Sequence, residues 1–244
     1  MQAPAPTLER IYPPHLDITN QDDRETLRIH LERYDFAAAR LIGTRVLDMA
    51  CGCGYGSDRL AELNPDKTVI GVDIDPAAIA FARLHYQRPN LSYHCADAER
   101  FSSEERFHTI VSLETIEHLP RPRQLIANCA ALLAEGGQII ASVPITPTLD
   151  GNPHHVHDFS VRSFLALLRP HGLVPAERFE QIQRWQFKGL FRSDATRRHR
   201  CEGAGNAVLA YYRQHPLYLL KRLASMLRYG FSNRYLTCRF RPVR

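Results

Sequence analysis

An α/β architecture, a doubly wound and mostly parallel sheet with helices on both faces, is predicted by three features of the sequence. Apolar stretches of strand length alternate with amphipathic stretches of helix length, and the links between them are short. A glycine-rich turn, "VLDMACGCGYG" (46–56), directly follows the first of those strands, the position at which such sheets bind ligands.

Taken in order, a polar, proline-containing lead (2–22) precedes a helical pattern from Asp23 to about Ile42. There Leu27, Leu31, Tyr34, Ala38 and Leu41 recur at spacings of three and four, with Asn20 or Asp22 as the cap. Strands are predicted at 45–49, 68–73, 91–94, 109–113 and 138–143, and helices at 57–63, 76–87, 122–134 and 160–168. "SVPITPTLDGNP" (142–153) reads as a long loop, the kind that is often functional in a compact domain. "VPAERFEQIQRW" and the period-two "NRYLTCRF" (233–240) supply two more strands, seven in all. Between them "HPLYLLKRLASMLRYG" (215–230) is an amphipathic helix with Leu219, Leu220, Leu223, Met226 and Leu227 on one face. That face is expected to dock on its own domain. Three segments result: a lead and lid helix (1–42), a core (43–183) and a basic C-terminal extension (184–244).

The composition is that of an ordinary globular chain, 44% hydrophobic and 23% charged over 244 residues. "MQAPAPTLERIYPP" lacks the basic and apolar regions of a secretory leader, and no apolar run approaches the ~20 residues of a membrane span, so a cytoplasmic location is expected. The six cysteines (51, 53, 95, 129, 201 and 238) show no CxxC pairing, and reduced thiols are expected. Charge is uneven: residues 178–244 carry 15 Lys and Arg against three acids. Such a tail suits an acidic partner, whether nucleic acid or anionic lipid, or simply a solvated basic face.

The glycine loop does not fit a dinucleotide. Its glycines fall at 52, 54 and 56, too close for G-x-G-x-x-G, and no G-K-[ST] follows. Asp48 ends the preceding strand, where its carboxylate repels a pyrophosphate and attracts an ammonium or sulfonium. Asp73, in "GVDIDP", is placed to accept both hydroxyls of a ribose. Asp97, in "HCADAE", can face an adenine amino group. Acids at three consecutive strand ends suit a nucleoside carrying a cation, a pattern that fits S-adenosylmethionine (SAM) better than NAD or ATP.

In order and spacing, VLDMACGCGYG, GVDIDP, CADAE, TIVSLETIEHL and LLAEGGQIIASVP resemble the successive motifs of class I SAM-dependent methyltransferases. The resemblance covers roughly residues 43–170 and implies a Rossmann-like sheet. It places Asp48 and the backbone of Ala50, Cys51, Gly52 and Gly54 around the methionyl part. Asp73 goes on the ribose, Ile74 beside the adenine, and Asp97 with Ala98 near the adenine amino group. The family usually has glycine where Ala50 stands. "LERIYPP…HLERYDFAAARLIG" is similar to a helix found ahead of the Gly loop in methyltransferases encoded near glycosyltransferases. There it roofs the cofactor and brings Arg33 and Tyr34 near the site, although Tyr34 also suits ordinary helix packing.

Groups able to manage the acceptor's proton cluster in "LETIEHLP", where one helical turn puts Glu114, Glu117 and His118 on one face. "NPHHVHDFS" adds His154, His155 and His157. Two chemistries are open. In one, His118 or a loop histidine acts as general base and Glu114 contacts the cofactor. In the other, Glu114, Glu117, His118 and His155 bind a divalent ion, Mg or Mn, that acidifies the acceptor hydroxyl. E-x-x-E-H resembles the metal-binding segment of ubiquinone-pathway O-methyltransferases. With H-x-x-[DE]-aromatic-[ST] downstream it also resembles the small-RNA 3′-terminal 2′-O-methyltransferases, in which His155 is the matching ligand. In a third reading, Glu117 and His118 only fix the turn before Pro120. The resemblance implies O-methylation of a sugar, glycan or other small-molecule hydroxyl. The alternatives are RNA 2′-O-methylation, encouraged by the basic tail, and a non-catalytic SAM-binding or membrane-attached scaffold.

Overall fold

A computed structural model describes residues 11–150, 152, 154–184 and 210–243. The first ten residues of the lead and residues 185–209 of the C-terminal extension lie outside the described residues. Helix α1 (Gln21–Ala38) leads into β1 (Arg45–Met49), α2 (Tyr55–Leu63), β2 (Thr68–Asp73), α3 (Pro76–His85), β3 (Leu91–Cys95) and β4 (Phe107–Ser112). A short 3-10 turn (Ile116–His118) precedes α4 (Pro122–Leu132) and β5 (Leu133–Pro144). Then come α5 (Val161–Leu168), β6 (Leu173–Arg184), α6 (Pro216–Tyr229) and β7 (Ser232–Pro242).

The seven strands form one sheet in the order β3-β2-β1-β4-β5-β7-β6. The first five pair in parallel, while β7 runs antiparallel to both β5 and β6. The C-terminal extension thus feeds its last strand into the core sheet, between two strands that precede it in sequence. The order reverses at β1, whose neighbours are β2 and β4, so the ligand crevice of a doubly wound sheet falls at the carboxyl ends of β1 and β4.

Period-two alternation assigns side chains to the two faces. Leu47, Met49, Ile110, Ile139 and Ala141 pack under α4 and α5 with Leu125, Cys129 and Phe164. Val46, Val69, Val111 and Ile140 pack under α1 and α2 with Tyr34, Ala37, Leu60 and Ala61. Asp48 shares the phase of Val46, and Ser142 that of Ile140, so both polar groups turn toward α1. Edge strand β6 is tied to α1 by the stacked rings of Phe36 and Phe179, 5.1 Å apart, and to the turn just after it by the Arg40–Glu177 ion pair.

Helix α6 departs from expectation. Its leucines do not dock: Leu220 is 61% exposed and Leu227 90%. Arg222 is its one buried residue, and its polar side is seated on the loop after β5. Buried partners on that loop, Asp150 and Asp158, outcompete the apolar stripe for the inward face. No helix among the described residues is long and apolar enough to cross a membrane.

Candidate active site

Strand β1 delivers Asp48, fully buried, to the underside of the α1–α2 pair. Ser57, in the first turn of α2, donates its hydroxyl to Asp48 Oδ2 at 2.6 Å, and Tyr34 OH of α1 donates to the same oxygen at 3.4 Å. Oδ1 has no partner. Burial pushes the Asp48 carboxyl up to about 7; the two hydroxyls pull it back down, and the Asp73 charge adds to the rise. A carboxylate held reluctantly ionised, with one oxygen unpartnered, is primed for a cation. The lid helix reaches this point because residue 56 is glycine: a Cβ there would lie 1.8 Å from the Tyr34 ring.

The loop itself is fixed by Asp73, which ends β2. Its Oδ2 accepts from Gly52 N (2.9 Å) and its Oδ1 from Asp75 N (2.9 Å), while Cys51 N donates to Val72 O. Ala50 has φ +63°, the left-handed region in which alanine is strained and glycine is not. Cys51 is buried, and Gly54 caps the start of α2. Ile74 is 60% exposed beyond the end of β2, placed to cover a flat ring. Asp97 follows β3 and closes a tight turn, its Oδ1 accepting from Glu99 N, with Ala98 buried beside it. A cavity of about 600 Å³ lined by Arg83, His94 and Arg100 opens on the outer side of β3; of the three strand-end acids it touches only Asp97.

Glu114 stands apart from the group in which the sequence placed it. It follows β4 with φ +51°, and strain of this kind is stored where the surroundings over-determine it. Its backbone N donates to Ser142 Oγ (2.9 Å), whose hydroxyl donates to Glu114 Oε1 (2.8 Å). Glu114 Oε2 is 3.7 Å from Arg33 Nη1. Arg33, 1% exposed, donates through Nε to Gln181 Oε1 (2.9 Å) and lies 4.4 Å over the Tyr235 ring. Neither of its Nη atoms makes a hydrogen bond. The guanidinium is thus buried against the Glu114 carboxylate with its Nη donors unfilled.

Glu117, His118 and His155 are brought together: one ligand atom from each lies within 4.8 Å of the others. They meet because the long loop is clipped onto the 3-10 turn, Val156 N and His157 N both donating to Glu117 O (2.9 and 3.2 Å). Glu117 is fully buried, neither carboxylate oxygen has a hydrogen-bond partner, and burial with the nearby Glu114 charge holds its carboxyl well above the usual range. His118 Nδ1 donates to His154 O (3.1 Å). His155 Nδ1 lies 2.6 Å from Thr148 Oγ1, and its ring packs edge-on to His118 at 4.6 Å. Burial, helped by His118, brings His155 down to about 4, so it is uncharged at neutral pH. One buried carboxyl group and two imidazoles form a donor set that fits a divalent cation.

The rest of HVHDFS serves the loop. Ser160 caps α5 through a reciprocal capping box with Ser163, and Asp158 accepts from Thr148 N, Tyr218 and Lys221. Ser57, Ser142, Gln181 and Tyr235 were not singled out from the sequence. The one signal for Gln181 is its burial phase, a polar residue 6% exposed on the α1 side of alternating β6.

Residues 46–137 match the family model described as a methyltransferase domain. The ubiquinone biosynthesis O-methyltransferase of Coxiella burnetii (strain Dugway 5J108-111) is 39% identical over 105 residues, 42% of this chain and 44% of that protein. The matched region therefore spans less than half the length of that relative. The protein of the same description from Alkalilimnicola ehrlichii is 29% identical over 205 residues, 75% of this chain and 80% of its own length. Among solved structures, the N-methyltransferase NodS from Bradyrhizobium japonicum, in complex with S-adenosyl-L-homocysteine (SAH), superposes with TM-score 0.58 at 19% identity. That match covers 93% of this chain and 90% of NodS, and it shows a shared fold. By its methyltransferase-domain match and its fold, the chain is similar to the class I SAM-dependent methyltransferases.

Proposed function

We propose that the chain transfers the methyl group of SAM to a hydroxyl oxygen of a small-molecule acceptor held between the Gly loop and the Glu117–His118–His155 cluster. The observation that carries this reading is that cluster: a fully buried Glu117 carboxyl without hydrogen-bond partners beside two imidazoles, one of them oriented by the His154 carbonyl and the other by the Thr148 hydroxyl. Asp48 faces the cofactor's cationic groups, Arg33 takes its carboxylate, Asp73 its ribose, and Ile74, Asp97 and Ala98 its adenine. The acceptor oxygen forms a bond to the methyl carbon as the C–S bond breaks in line, and the electron pair returns to sulfur as a thioether. The hydroxyl proton passes to His118 Nε2, whose opposite nitrogen is tied to the His154 carbonyl. His155 and Glu117 fix the acceptor oxygen on that line.

A second reading adds a divalent metal, Mg or Mn, favoured by the unpartnered Glu117 carboxylate within reach of both imidazoles. When bound by Glu117, His118 and His155, such an ion would lower the pKa of the acceptor hydroxyl. Glu114 would take no part, since it is held by Ser142 and Arg33.

The names of the relatives favour an acceptor from ubiquinone biosynthesis. The sugar or glycan hydroxyl expected from the sequence finds no support among them, and RNA remains the alternative on charge alone. Transfer of labelled methyl from SAM to phenolic, sugar and RNA acceptors tests the reading. Turnover on a phenol, lost in His155→Ala with SAH binding kept, is expected. Methylation of RNA alone, or an unimpaired His155→Ala, would overturn it.

A further inference from the structure

Helix α6 is mounted inside out. Its inward side is polar: Tyr218 OH and Lys221 Nζ donate to Asp158 Oδ2 (2.7 and 2.6 Å), and Arg222 Nε donates to Asp150 Oδ2 (2.7 Å). Leu149 N donates back to Tyr218 OH at 3.1 Å. These contacts hold the helix by charge and hydrogen bonds, and they leave its apolar stripe facing outward. Leu217 is 78% exposed, Leu220 61%, Leu223 47% and Leu227 90%. Four leucines on consecutive turns of one helix form an apolar ridge about 15 Å long, at 1.5 Å per residue from Leu217 to Leu227. Scattered single leucines need no explanation, but a ridge of this kind does.

Charge identifies what covers it. From residue 203 to 244 the chain carries eight Lys and Arg and no acid. Arg213, just ahead of the helix, and Arg228, in its last turn, are exposed and flank the ridge in sequence. A second copy docked by the same face would set these cations against their own counterparts, because a two-fold contact pairs identical surfaces. An anionic bilayer surface offers the complement to both features at once, acyl chains for the leucines and phosphates for the cations.

We propose that α6 is a membrane-surface anchor, lying in the headgroup layer of bilayers that contain anionic lipid. Leu217, Leu220, Leu223 and Leu227 enter the acyl boundary, and Arg213 and Arg228 reach the phosphates. Because Tyr218, Lys221 and Arg222 bind the loop that carries His155, the anchor is joined directly to the candidate active site. The anchor does not depend on the methyl-transfer chemistry.

The test is co-sedimentation of the full chain with vesicles of phosphatidylcholine alone or with about a third phosphatidylglycerol. Binding to the anionic vesicles, weakening as salt rises, is expected. The double variant Leu220→Glu, Leu227→Glu should lose about tenfold or more in vesicle affinity with an unchanged thermal melt and unchanged SAH binding. Both positions are exposed, so folding should not suffer. No sedimentation with anionic vesicles would overturn the proposal, and so would equal binding by the double variant, which would assign the attachment to the rest of the basic tail. A dimer in light scattering that the double variant converts to a monomer, without lipid binding, would give the ridge to a second copy and also overturn it.

Discussion

Ser57 Oγ donates to Asp48 Oδ2 at 2.6 Å, and that contact fixes which oxygen of the strand-end acid remains open. Ser57 stands in the first turn of α2 and Asp48 at the end of β1, so the strand–loop–helix unit itself aims the acid. The proposed cofactor site rests on this arrangement, in which a loop of phosphate-binding appearance takes a cation.

Asp48→Asn should separate cofactor affinity from stability. Hydrogen bonds to charged groups contribute about 1.5–3 kcal/mol, so SAH affinity should fall on the order of 10- to 100-fold. The unliganded variant should melt higher than wild type above pH 7, because it no longer buries a group that must ionise. Isothermal titration and thermal melts measure the two effects.

The pH dependence follows from the same carboxyl. Its folded value of about 7 lies above the ordinary 3.8. Its contribution to the stability of the unliganded fold is therefore complete below about pH 4 and lost as pH rises to about 7. Cofactor binding runs the opposite way, because the ionised form receives the cation. SAH affinity should rise through about pH 6–7 and then level off, and Asp48→Asn should flatten that rise.

Ala50→Gly should stabilise the protein. The left-handed backbone at Ala50 costs alanine about 1 kcal/mol relative to glycine, and the gain should raise the melting temperature by roughly 2–4 °C. Unchanged or lowered stability in calorimetry would show that the loop relaxes without strain.

Arg33→Gln should weaken SAH binding by about the same factor as Asp48→Asn, since both remove a charged partner of the methionyl group. Adenosine, which lacks that group, should bind wild type and Arg33→Gln alike. Titration of both ligands checks the assignment.

The positions of the three strand-end acids were legible in the sequence, and the surroundings of Glu114, Glu117 and His118 only in part. Asp48, Asp73 and Asp97 end strands whose apolar alternation is plain, so their position follows from local pattern. Glu114 did not follow: three acids and bases at helical spacing suggested one face, but its backbone turns left-handed and hands it to Ser142 and Arg33. That outcome depends on β5 and α1, far away in the chain. The outward leucines of α6 were unreadable for a similar reason. An amphipathic pattern gives the stripe but not which side meets Asp150 and Asp158. Placing β7 between β5 and β6 likewise required long-range pairing.

Isothermal titration of the purified chain with SAH at about pH 8 tests the central claim, that three strand-end acids and Arg33 build a SAM site, most directly. One-to-one binding at micromolar affinity or tighter, weakened in Asp48→Asn and Arg33→Gln and kept in His155→Ala, is the predicted result. Absence of binding by a folded protein would contradict it.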